Sequence, residues 1–141
     1  MNLTHNIFFM FMFTFIINMV IIPLIIGSSF KDISFNMSKF YLSVIVGLLV
    51  VLSQIFSFDL LNGTKSKTNY IIYIFLLILY IYLYRKQMFI DDVNFLKDIK
   101  EKNSSLILIT NRQSKNNRIN SFSRYIYNTL NKENEFINKI I

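Results

Sequence analysis

Three long apolar runs, residues 7–28, 40–58 and 70–84, carry no charged side chain and fill most of the first three-fifths of the 141-residue chain. A helix rises about 1.5 Å per residue and the hydrocarbon core of a bilayer is about 30 Å thick, so roughly 20 apolar residues make one crossing. The first run meets that length and the second nearly does. The third is shorter, but Tyr80, Tyr82 and Tyr84 suit a membrane interface and Arg85 can reach out of it. An integral multi-pass membrane protein with a polar tail is expected, and the lipid bilayer is its first partner.

Composition points the same way. Apolar residues make up 53% of the chain and the mean hydropathy is +0.43, which argues against an ordinary soluble domain. The polar remainder, residues 85–141, is near the lower limit for burying a core of its own. A self-sufficient enzyme domain is not expected there, and packing on a partner is the natural way to stabilise it. Cysteine is absent, which excludes disulfides, thiolate metal sites and a cysteine nucleophile. Alanine and tryptophan are absent too, while Ile, Phe and Asn abound, a pattern of AT-rich coding sequence rather than of structure. Such sequence creates N-x-S/T triplets by chance, and those at Asn2, Asn36, Asn62 and Asn103 are given little weight as glycan acceptors.

The first run lacks a basic leader segment and a small-x-small cleavage site, so it reads as a retained helix. Pro23 and Gly27 fall late in it, where a kink is tolerable. Asn62-Gly63 signals a turn between the second and third runs. Three crossings place the chain ends on opposite sides. Loop charges Lys31, Lys39, Arg85 and Lys86, against Lys65 and Lys67, put the tail in the cytoplasm by simple counting.

Beyond Arg85 the pattern becomes amphipathic. Asp91 or Asp92 can cap a helix whose apolar positions Phe95, Ile99, Leu106 and Ile109 fall near one face. Gln113, Ser114, Lys115, Asn116 and Asn117 read as a polar turn. A second helix follows, with Ile119, Phe122, Ile126, Leu130, Ile137 and Ile140 spaced close to a heptad seam and Glu133 in its gap. The expected fold is all-α: a three-helix membrane anchor over residues 1–86, then a two-helix antiparallel hairpin over residues 87–141. Such a hairpin is half of a four-helix bundle, and its stripes need another surface. The interaction residues are then Phe95, Ile99, Leu106, Ile119, Phe122, Ile126, Leu130 and Ile137.

Ordered features of the chain resemble the domain of unknown function 305 family. Asp32, Phe35, Ser38, Lys39, Tyr41 and Gly47 stand where that family has approximately D-x-x-F-x-x-T/S-R/K-x-Y-M-A-x-x-M-G. Lys65 and Lys67 match its basic second loop, Arg85-Lys86-Gln87 its Arg-x-Gln, and Phe95, Leu96, Lys97 and Ser104 its F-M/L-K-x-M-I-P-H-H-S motif. The resemblance runs through nearly the whole chain. It implies a membrane anchor followed by a ferritin-like helical bundle, and a tail outside the cytoplasm, which is the orientation favoured here over charge counting. The family's paired histidines, metal ligands for copper in that family, fall here at Lys102 and Asn103. A lysine is cationic with no lone pair at neutral pH and a neutral amide is a poor ligand for a soft metal, so the site is expected to be lost and the scaffold kept.

Other chemistry is sparse. His5 is a lone histidine at the entrance to the first run. Met10, Met12 and Met19 suggest soft copper ligation, with Met12 and Met19 on one face, but methionine among Phe and Ile is ordinary apolar filler. Asn18 and Gln54 inside the runs suit hydrogen bonds between helices. Asp91 and Asp92 are adjacent and diverge on a helix, so they do not pair for acid–base work. No catalytic set, phosphate loop or cofactor site can be assembled. The expectation is a non-catalytic structural or accessory protein, a homo-oligomer or a subunit of a membrane complex. The alternatives are a divergent copper-binding protein and a basic tail that binds anionic lipid or nucleic acid. The tail holds eleven of the 15 Lys and Arg and six of the eight acids, a net of +5 without a tight cluster, so nucleic acid is not favoured.

Overall fold

The computed structural model describes residues 3–27, 34–111 and 116–141. Lys31 and Asp32 of the first loop, Gln113, Ser114 and Lys115 of the expected turn, and Asn2 lie outside them. Among the described residues the chain is all helix, with no strand. In order come α1 (Leu3–Ile16), a π-helical turn (Ile17–Ile21), α2 (Ile22–Ile26), α3 (Met37–Asn62), α4 (Lys67–Arg85), α5 (Asp92–Thr110) and α6 (Asn117–Ile140). Three stretches are long and apolar enough to cross a membrane: His5–Ile26, Met37–Asn62 and Lys67–Arg85, of 22, 26 and 19 residues.

The π turn has a local cause. Pro23 has no N–H and its ring crowds the carbonyl four residues back, that of Met19, and a widened turn relieves that crowding. The wider turn also shifts the register of side chains before and after it. Met19 is buried and its sulfur accepts the Ser43 hydroxyl at 3.7 Å, whereas Met12 is exposed, so the two do not share a face. Asn18, expected to bond between helices, instead donates to the Thr14 carbonyl of its own helix at 2.9 Å.

The chain divides into two compact units, Met1–Ile21 with Met37–Phe89, and Ile22–Asn36 with Ile90–Ile141. In the first, α3 lies against both α1 and α4. Ile7, Val51 and Ile55 form its buried centre, with Phe11, Tyr70 and Tyr73 packed around them. Rings continue the packing: Phe15 meets Phe40 edge-on at 5.6 Å between centroids, and Tyr41 meets Tyr80 at 6.3 Å. Such aromatic pairs add directional attraction to the burial of their area.

The ends of α3 and α4 are closed by left-handed residues. Gly63 (φ +63°) follows α3, and the Thr64 N–H reaches back to the Asp59 carbonyl at 3.2 Å. After α4 the same closure is made by Gln87 (φ +49°), with Gln87 N–H to Tyr84 and Met88 N–H to Leu83. Those two bonds are the paired closure that usually uses glycine. The Asp59 carboxylate then fastens α3 to the start of α4. It accepts from the Ser66 N–H at 2.7 Å, the Thr64 and Ser66 hydroxyls at 2.8 Å, and the Tyr70 hydroxyl.

In the second unit α5 packs on α6 and on α2. Asp91 is the N-cap of α5, its carboxylate accepting from the Asn94 N–H at 2.7 Å, and Asn116 caps α6 by accepting from the Arg118 N–H at 3.0 Å.

Candidate functional site

The residues expected to carry interactions lie on α5 and α6, and the structure divides them. On α5, Phe95 and Leu106 are exposed and Ile99 is half-buried. The covered face carries Asn103, Ser104 and Ile107. Ile107 is one residue beyond Leu106, and so about 100° round the helix. On α6, Ile119 and Phe122 are exposed, Ile126 and Leu130 half-buried, and Ile137 buried. Leu96, Ile99, Phe136 and Ile137 line a shallow groove between the helices, together with Lys132 and Glu133.

Polar ties hold this pair. The Asn103 amide donates to the Glu133 carboxylate at 3.2 Å across the helices. The Asn36 amide donates to Glu101 of α5 at 3.5 Å. Asn134 is buried, and its side-chain oxygen has no hydrogen-bond partner among the described residues. Asn36 and Asn103, which begin two of the N-x-S/T triplets, are both buried.

Lys102 and Asn103 point apart. Lys102 is exposed and its ammonium bridges Asp98, one turn back, at 2.6 Å, while Asn103 is turned into the contact with α6. Neither atom set offers a soft metal two neighbouring lone pairs. Among the described residues no three His, Asp or Glu side chains are gathered closely enough to hold an ion. Asp91 is committed to capping, and His5 is exposed.

Sequence reasoning missed Ile107, the Asn103–Glu133 tie, and the exposed aromatics Tyr125 and Phe136. The last two were findable: they are eleven residues apart, just over three full turns, and share an edge of α6 with Phe122. No known family, curated protein or solved structure matches the chain.

Proposed function

We propose that the chain is a non-catalytic, multi-pass membrane protein whose α5–α6 pair is a helical hairpin presented for docking, in a homo-oligomer or as an accessory subunit of a membrane assembly. The observation that carries this is the outward placement of Phe95 and Leu106 on a helix whose neighbouring face, with Asn103 and Ile107, is already covered. Large apolar side chains left outside a packed pair lose contact with water when a second surface covers them. The resemblance to the domain of unknown function 305 family fits this proposal, with the bundle scaffold kept and the ligand pair replaced by a surface ion pair and an interhelical hydrogen bond.

The chain has no cysteine, so a single Leu106→Cys variant accepts a cross-linker at one defined place. In native membranes it is expected to give a discrete dimer or a discrete adduct with another membrane protein, lost on Phe95→Asp. A chain that stays monomeric in mild detergent and yields no adduct would overturn the proposal. We place the tail outside the cytoplasm, as the resemblance implies. Protease added to sealed, right-side-out vesicles is expected to remove α5 and α6; full protection would reverse the orientation.

A further inference from the structure

One strip of α6 is exposed along its length, and its Phe136 and Lys132 also border the groove against α5. Phe122, Tyr125, Phe136 and Ile140 fall within an arc of about 60° at 100° per residue, and are 64%, 68%, 65% and 54% exposed. Arg118 stands at the start of the strip, and Lys132 and Lys139 run along one border, all three exposed. An apolar centre with a basic border is the form of a helix that lies in the headgroup region of a bilayer, and tyrosine and phenylalanine are at home there.

We propose that this strip docks on an anionic lipid surface, its aromatic residues entering the interface and its cations meeting phosphate or carboxylate headgroups. It rests on the reading of the chain as membrane-anchored. Two contacts of α5 support the location. The helix packs on Ile22–Ile26, the last turns of a 22-residue apolar helix, and Glu101 accepts from Asn36, the residue just before the second long apolar helix. The helix on which α6 rests is thus tied to residues where two membrane-length helices end and begin. The bilayer surface is then present at high effective concentration. Charge separates lipid from the rival occupant, a second copy. An antiparallel pair through this strip sets Arg118 of each copy beside Lys139 of the other, and like charges in contact oppose association.

The test uses full-length protein in vesicles of phosphatidylcholine, with or without phosphatidylserine. Thr129 lies in the middle of the arc and Asn138 on the opposite side of α6, so Thr129→Cys and Asn138→Cys each carry a polarity-sensitive label. With phosphatidylserine, the label at 129 is expected to be shielded from an aqueous quencher and the label at 138 to stay accessible. The ratio of shielded to accessible label at 129 is expected to fall about fivefold for each of Arg118→Gln, Lys132→Gln and Lys139→Gln, and to fall again in high salt. Phe136→Ser with Ile140→Ser, checked for retained helix by circular dichroism, should abolish the shielding. Equal accessibility at 129 and 138 would sink the proposal. So would shielding that grows with protein density and ignores phosphatidylserine, which would assign the strip to a second copy. Extraction of the chain by alkaline carbonate would remove the anchoring reading and this proposal with it; an accessible label at 129 on carbonate-resistant protein removes this proposal alone.

Discussion

The ring of Phe11 lies across Gly47: a methyl group built on that glycine would sit 2.9 Å from two of the ring carbons. The absence of a side chain at 47 is what leaves room for the Phe11 ring of α1 against α3. Gly47→Leu is expected to cost about 1–3 kcal/mol through overpacking. Phe11→Ala in the same chain should recover part of the loss. Unfolding in detergent, run as a double-mutant cycle, measures the coupling; additive effects would mean the two do not meet.

Asp59 joins α3 to α4 through one carboxylate that accepts from three residues. Asp59→Ala is expected to lower the Tm of the detergent-solubilised protein more than Thr64→Ala does. Ser66→Ala should fall between them, since the Ser66 N–H remains as a donor. Equal effects from all three would show that the carboxylate is not the centre of the clasp.

Gln87 occupies a left-handed position at the end of α4, where its side chain gains nothing and its Cβ is crowded. Gln87→Gly is expected to stabilise the protein by about 0.5–1 kcal/mol, the strain relieved exceeding the entropy that glycine adds to the unfolded chain. Tyr41 holds the same connection from α3, its hydroxyl donating to the Met88 carbonyl at 2.8 Å. Tyr41→Phe should cost about 0.5–1.5 kcal/mol. Thermal melts of the two variants are expected to move in opposite directions.

Asn103→Ala removes the bond between the helices while the exposed Glu133 carboxylate turns to water, and is expected to cost about 0.5–1.5 kcal/mol. Glu133→Gln keeps an acceptor for the Asn103 amide and should cost less. Hydrogen exchange of the α6 amides reports the difference, because loosening the tie raises exchange along that helix.

Copper is expected to leave the purified protein completely under mild chelation. Lys102 is held by Asp98, Asn103 by Glu133, and the Met19 sulfur already meets Ser43. Stoichiometric copper retained by the washed protein, measured by elemental analysis, would overturn the non-catalytic, metal-free reading.

Several local features were legible in the chain itself. An aspartate cap before the amphipathic run was legible, left open between Asp91 and Asp92 until the structure gave it to Asp91, and Asn62-Gly63 closes α3, because each depends on a few neighbouring backbone groups. The face of α5 was not legible. Leu106, Ile107, Leu108 and Ile109 are consecutive, so the apolar residues wrap the helix and periodicity alone cannot choose among them. Gln87 was equally hidden, since nothing in its side chain announces a left-handed backbone. Nothing beside Asp59 in the sequence marks it as a clasp, because Ser66 and Tyr70 reach it only once the turn has folded.

What the sequence determined alone is that this chain is helical and carries three segments of membrane length, for apolar length and capping act within a turn or two of backbone. Tertiary structure decided which sides of those helices face one another: Ile107 and Asn103 inward and Leu106 outward, Phe11 over Gly47, and the aromatic edge of α6 left open. Those choices depend on side chains far apart in sequence meeting at van der Waals distance. Their energies depend on volume and hydrogen-bond geometry that exist only once the helices have packed.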